Sequence, residues 1–117
     1  MRFVTFKDGC RFKKWTPFYS YVFNTLHEMM NKDVTLPDLV ITSVDDSTHA
    51  TNSKHYKGGA VDVRSHNFKS KQQKIMFALN LKSKLGPDFT VIFENEDTAN
   101  EHFHVQVRKD LGSGIWY

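Results

Sequence analysis

The segment 102–108 constrains the fold of this chain more than any other, because its polar and apolar residues alternate without a break. In an extended strand such residues point to opposite sides. The two sides are Phe103, Val105 and Val107 against His102, His104 and Gln106. The shorter segment Ala60–Arg64 has the same period, with Asp62 on the side opposite Val61 and Val63. A sheet containing both segments can bury its apolar side against helices and present Asp62 and His104 on its other face.

Two helices are predicted beside this sheet. Thr16-Pro17 is typical of an N-cap followed by proline at the first helical position. Apolar residues then recur at helical spacing to about Asn31: Tyr19, Val22, Phe23, Leu26, Met29 and Met30. The second helix is predicted from Ser70 to Leu85, where Gly86-Pro87 ends it. Three of its apolar residues are expected to face inward: Ile75, Met76 and Leu79.

Two further strands are predicted at Leu39–Thr42 and Phe89–Phe93, and residues 43–58 form a polar loop. With the segments at 60–64 and 102–108, these make a four-stranded sheet. The expected fold class is therefore α+β, with a small antiparallel sheet and two flanking helices. At 117 residues the chain is expected to form a single domain, 1–117.

Two short stretches carry most of the chemically active residues. His55 and Asp62 lie on either side of a Gly58-Gly59 turn, and Glu101 comes three residues before His104. Two imidazoles and one carboxylate are ligands that Zn²⁺ accepts, and they leave a fourth tetrahedral position for water. A glutamate beside that water could accept its proton. These are the components of a hydrolytic zinc site.

Several of these positions have alternative interpretations. A carboxylate at Asp62, between valines, needs a partner when it is desolvated, and either a metal or a salt bridge to Arg64 or a lysine would provide one. His102 and His104 share a strand face and compete for one role. Other carboxylates could replace Glu101 as the base, and they lie in the preceding acidic loop: Glu94, Glu96 and Asp97.

The two stretches resemble the zinc D-alanyl-D-alanine carboxypeptidases and the related endopeptidases of phage endolysins, a family that shares its fold with the Hedgehog signalling domain. The family is marked by His-x-x-Gly-x-Ala-x-Asp and a later Glu-x-x-His. The chain matches every fixed position of both motifs: His55, Gly58, Ala60 and Asp62, then Glu101 and His104. The resemblance extends from about Leu39 to Val107. It implies a Hedgehog/DD-peptidase-like fold, Zn²⁺ bound by His55, Asp62 and His104, and Glu101 as catalytic base, with His102 beside the metal or on the substrate side.

The chain departs from the family in one respect. Many members have an arginine shortly after the strand that precedes the first motif, and this arginine helps to hold the substrate. Here Ile41-Thr-Ser43 is followed by ten residues without an arginine. His49 or Lys57 could supply a hydrogen-bond donor instead.

Composition adds mainly exclusions. The formal net charge is +3 and the isoelectric point about 9.0, a mild excess that suits an anionic partner but more often serves solubility. The lysine-rich stretches lack the interleaved aromatic residues that nucleic-acid recognition uses. A single cysteine, Cys10, excludes an internal disulfide. No signal peptide or apolar run of membrane-spanning length is present, so we expect synthesis in the cytoplasm without membrane insertion.

The resemblance implies a zinc metallopeptidase that cleaves the peptide stem of bacterial peptidoglycan, as a D-Ala-D-Ala carboxypeptidase or an L-Ala-D-Glu-type endopeptidase. Such a protein would be a phage-derived lysis or virion protein, reaching the cell wall after holin-type release or within the virion. The alternative is a zinc-bearing structural or binding module of the same fold without peptidase activity. A metal-dependent nuclease using His102 and His104 is a third hypothesis. Oligomeric state is not predicted.

Overall fold

A computed structural model describes residues 1–44, 58–108, 110–111 and 114–117. The chain forms a small α+β domain with two helices and a five-stranded mixed sheet. In chain order the elements are β1 (Thr5–Phe6), α1 (Pro17–Lys32), β2 (Val40–Ser43), β3 (Ala60–Arg64), α2 (Lys71–Leu85), β4 (Phe89–Glu94) and β5 (His102–Val107). The strands lie in the order β1-β2-β3-β5-β4.

The sequence predicts an antiparallel sheet, but the sheet is mixed. β2, β3, β5 and β4 pair antiparallel, but β1 lies parallel to β2 at the edge. Two backbone hydrogen bonds hold β1: Thr5 N to Leu39 O at 3.1 Å and Lys7 N to Ile41 O at 2.8 Å. A two-residue strand is too short to show a period of two, so it could not be predicted from periodicity.

The first helix begins at Pro17 as predicted and extends to Lys32, one residue beyond the predicted end. Five of the six residues predicted for its apolar face are buried, and Phe23 is only partly buried. The buried side chains come from one stripe: Phe18, Tyr19, Val22, Leu26, Met29 and Met30. Thr16 precedes Pro17 as expected, but its hydroxyl makes no capping bond to the helix. It donates instead to the Gly58 carbonyl, at 2.7 Å, within the first motif.

The second helix begins and ends as predicted, but its inward face was predicted wrongly. Ser70 is the N-cap, accepting from Gln73 N at 3.1 Å, and Gly86 ends the helix at φ +98°. The buried residues are Phe77, Leu81 and Leu85, whereas Ile75, Met76 and Leu79 are 42%, 49% and 60% exposed. Phe77 decides the rotation, since its ring lies 4.9 Å from that of Phe103 and 5.1 Å from that of Phe68.

One hydrophobic core joins both helices to a single face of the sheet. β5 contributes Phe103, Val105 and Val107 to it, all with no exposed surface, and β3 contributes Val61 and Val63. The predicted alternation of both strands is therefore confirmed, and their polar side chains lie on the other face. No helix in the described part of the chain is long and apolar enough to cross a membrane.

Candidate metal centre

The polar face of the sheet brings Asp62 and His104 together. β3 and β5 are antiparallel neighbours, and in their register Asp62 stands directly opposite His104. The next pair on this face, two residues along, is Arg64 opposite His102. Directly opposed residues in an antiparallel pair have Cβ atoms only about 5 Å apart. Residues 42 positions apart in sequence thus become neighbours through the sheet register.

Three side chains converge closely enough to bind one metal ion: Asp62, His102 and His104. His104 Nδ1 lies 2.9 Å from Asp62 Oδ1, and His102 Nε2 lies 3.7 Å from the same oxygen. Ligand atoms at 2.0–2.1 Å from a tetrahedral zinc ion stand roughly 3.3 Å apart, so both separations suit a shared ion. One carboxylate and two imidazoles also suit Zn²⁺ or another first-row divalent ion chemically.

His104 is held from both sides. Its Nδ1 faces Asp62, and its Nε2 lies 2.7 Å from Gln106 Oε1. Burial disfavours the charged imidazole, but the hydrogen bonds to Asp62 and Gln106 and the nearby carboxylates of Asp62 and Glu94 outweigh it and raise the pKa of His104. Carboxylate and amide oxygens therefore face both nitrogens of this ring.

A fourth side chain, Glu94, borders the two histidines. β4 pairs with β5 so that Glu94 stands opposite His102 and Ile92 opposite His104. Glu94 Oε1 lies 3.5 Å from His104 Nδ1 and 3.7 Å from His102 Nε2. The sequence prediction had ended this strand at Phe93 and assigned Glu94 to a loop, but β4 extends one residue further and directs the Glu94 carboxylate to the site.

Glu101 occupies the loop just before β5, and its side chain turns inward and is only 2% exposed. Its carboxylate accepts from Ser65 Oγ and Lys74 Nζ, both at 2.6 Å, and from Asp97 N at 2.9 Å. Burial opposes ionisation, but these bonds outweigh it and lower the pKa of Glu101 to about 2. Among the described residues, Glu101 is not part of the group that converges on Asp62.

Gly58 ties the first motif to the rest of the domain. It adopts φ +73°, where side chains are disfavoured, and an added Cβ would lie 2.7 Å from Thr16 Cγ2. Its carbonyl accepts the Thr16 hydroxyl, so the turn before β3 is fixed against the start of α1. The predicted ligand His55 and the possible substrate residues His49 and Lys57 lie outside the described residues.

A cleft of about 790 Å³ opens beside Asp62 and His102. Lys7, Arg64, His66 and Glu101 line it together with the amides of Asn95 and Asn100. Within the described ranges, the structure shows no ion pair for Lys7 or Arg64. A smaller cavity of about 450 Å³ lies between α1 and α2 and shares no residue with the metal-binding group.

Compared with protein-family models and with curated proteins, the sequence matches none.

Proposed function

We propose that this protein is a metal-dependent peptidase that hydrolyses a bond in the peptide stem of bacterial peptidoglycan. The observation that carries the proposal is the proximity of Asp62 and His104, 2.9 Å apart on the polar face of the sheet. These are two of the three residues that the motif resemblance assigns to zinc. The third, His55, precedes the Gly58 turn whose carbonyl is anchored to Thr16.

The side chains present fit a metal ion. Asp62 and His104 would hold it, with His55 by resemblance or His102 by geometry as a further imidazole. When bound, such an ion polarises the scissile carbonyl and makes water a stronger nucleophile near neutral pH. Gln106 would orient His104 through the contact between its Oε1 and the ring Nε2, so that the ring presents Nδ1 on the side of Asp62.

A carboxylate is also needed to move a proton from water to the leaving amine. The motif resemblance assigns this role to Glu101, and the contacts of the two histidines favour Glu94.

The cleft beside the site suits a substrate that carries a carboxylate. Arg64 lies two residues after Asp62 on the same face of β3, and Lys7 lines the same cleft. A guanidinium can bind a carboxylate through two parallel hydrogen bonds. Arg64 would thus supply the cationic contact that the family obtains from an arginine missing here. Stem peptides of the cell wall contain free carboxylates, which agrees with this polarity.

The alternative is a metal-bearing module of the same fold that binds cell-wall peptide without cutting it. Metal content alone does not separate the two hypotheses, since both need the ion. Incubation of the metal-loaded protein with purified peptidoglycan does, when newly released amino groups are counted and the new termini are identified by mass spectrometry. A peptidase releases termini from one kind of bond. A protein that sediments with peptidoglycan and releases none would establish the binding module, and cleavage of DNA alone would establish the nuclease.

For a peptidase, a role in phage-mediated lysis or in a virion follows from the resemblance to endolysin enzymes. In either case the protein would meet its substrate outside the cytoplasm in which it is made.

A further inference from the structure

Five aromatic rings form a cluster beside α1 that the proposed chemistry does not use. They come from β1, from the segment before α1 and from α1 itself: Phe6, Phe12, Trp15, Tyr19 and Phe23. The centroids of neighbouring rings lie between 4.8 and 6.0 Å apart. Tyr19 is fully buried and supports the cluster from below, whereas Phe6 and Trp15 are 42% and 57% exposed. We call these five residues the aromatic patch.

The exposed ring of Trp15 is already ordered. Its Nε1 donates to Ser20 Oγ, in the first turn of α1, at 2.7 Å. The rings of Phe12 and Tyr19 lie 5.2 and 5.3 Å from it. A side chain that is ordered in advance loses little conformational entropy when a ligand covers it. Exposed apolar surface with a polar rim is typical of an interaction site, and Trp15 presents such a surface in a fixed orientation.

A concentration of positive charge adjoins the aromatic patch. Residues 7–14 contain four cations and one acid, all of them exposed: Lys7, Arg11, Lys13 and Lys14, with Asp8. This segment therefore has a formal net charge of +3, which is the net charge of the whole chain. Positive and negative side chains balance over the remaining residues. Rings beside clustered cations suit a ligand that is anionic and also has flat apolar faces.

The aromatic patch borders the metal centre at two points. Phe6 is followed directly by Lys7, which lines the cleft. Trp15 follows Lys14, whose Cε would lie 3.5 Å from a Cβ added at Gly58, within the first motif. A polymer that lies along the patch therefore passes the edge of the cleft, where a branch of it can enter.

We propose that the aromatic patch and residues 7–14 bind the glycan strand of peptidoglycan while the attached peptide stem enters the cleft. This inference rests on the proposed peptidase function. The apolar C–H face of a sugar ring packs on an exposed aromatic ring such as Trp15. The carboxylates along the polymer are attracted by the cations of residues 7–14. A branched, anionic polymer of sugars accounts together for the rings, the charge and the adjacent cleft.

The first test measures binding without cleavage. Glycan strands freed of their stems by an amidase keep their sugar rings and carry a carboxylate on every second sugar, and they are titrated into the protein by calorimetry. We expect Trp15→Ala to weaken binding about tenfold or more, the scale of an aromatic anchor, and Trp15→Phe to lose less because it keeps a ring. Lys14→Gln should weaken binding at low salt and have a smaller effect at high salt. Leu79→Ala removes a similarly exposed apolar side chain on α2 and should match the wild type. Circular dichroism establishes that each variant is folded, and Lys14→Gln and Trp15→Phe test the surface if Trp15→Ala does not fold.

The second test separates sugar from peptide. On intact peptidoglycan, Trp15→Ala should raise KM about tenfold, and KM for a free stem peptide should stay unchanged, because that peptide has no sugar to contact the ring. Equal losses on both substrates would overturn the proposal. So would wild-type protein that does not bind glycan strands, Trp15→Ala that binds them as tightly, or wild-type protein that prefers phosphatidylglycerol vesicles or single-stranded DNA. Failure of the peptidase function is recognised separately, because the wild-type protein would then bind glycan strands and release no amino groups.

Discussion

Replacing Glu101 by Gln should destabilise the fold, because the Glu101 carboxylate holds three neighbours together. It accepts from Ser65 Oγ, Lys74 Nζ and Asp97 N while its side chain is only 2% exposed. Its pKa is lowered from 4.5 to about 2, which corresponds to about 3 kcal/mol of stability at neutral pH. Breaking a buried ion pair typically costs about 3–5 kcal/mol. Gln can still accept a hydrogen bond, so we expect a loss of about 2–3 kcal/mol, a large part of a typical 5–15 kcal/mol.

The free energy of unfolding of wild type and Glu101→Gln is measured by urea denaturation at pH 7, with Glu96→Gln as control. The exposed Glu96–Lys71 pair should contribute little, because water and salt screen it. The difference between wild type and Glu101→Gln also depends on pH. The folded pKa of Glu101 lies below its unfolded value, so its contribution is present above about pH 4.5 and is lost as pH falls towards 2.

The prediction is refuted if Glu101→Gln is as stable as Glu96→Gln at pH 7. It is also refuted if the loss of stability in Glu101→Gln relative to wild type is the same at pH 7 and at pH 2. Lys74→Met in the Glu101→Gln background tests the pair directly. If Lys74 without its partner causes the cost, the double variant should be more stable than the sum of the two single losses implies.

Three further predictions concern the metal, the cleft and the core. His104→Ala should remove most of the bound metal and lower the melting temperature, and His102→Ala should weaken metal binding less; metal analysis and thermal unfolding with and without chelator measure both. Arg64→Gln should raise KM for carboxylate-bearing stem peptides about tenfold with little change in kcat, and Arg64→Lys should restore part of the loss; an unchanged KM would exclude the contact. Leu81→Ala should cost about 2–5 kcal/mol of stability and Leu79→Ala within about 0.5, because only Leu81 is buried; equal costs in urea denaturation would contradict the observed face of α2.

Much of the fold could be predicted because the sheet and the first helix carry strong periodic signals. β5 alternates over its whole length, and β3 has the same limits in sequence and structure. α2 was harder, since apolar residues occur on more than one of its faces and no period distinguishes Leu79 from Leu81. The ring contacts of Phe77 determine which face of α2 is buried, and these contacts depend on Phe68 and Phe103 from other parts of the chain.

The candidate site was predictable to the extent that strand parity determines it. Strand parity alone predicted that His102 and His104 share one face of their strand and that Asp62 lies on the polar face of the strand at 60–64. The structure brings these three side chains together. The approach of Glu94 could not be predicted in the same way. That approach depends on the pairing of β4 with β5. It also depends on β4 extending to Glu94, whereas the apolar run in the sequence ends at Phe93.

The sheet itself separates the two acidic residues that compete for the catalytic role. Glu101 precedes β5 and, like Phe103 two residues later, is turned towards the buried side, where Lys74 from α2 neutralises it. Glu94 ends β4 on the opposite face, where its Oε1 lies 3.5 Å from His104 Nδ1 and 3.7 Å from His102 Nε2. A buried carboxylate that accepts three hydrogen bonds stabilises its surroundings by staying ionised and still, whereas an acid–base group must gain and lose a proton in every turnover.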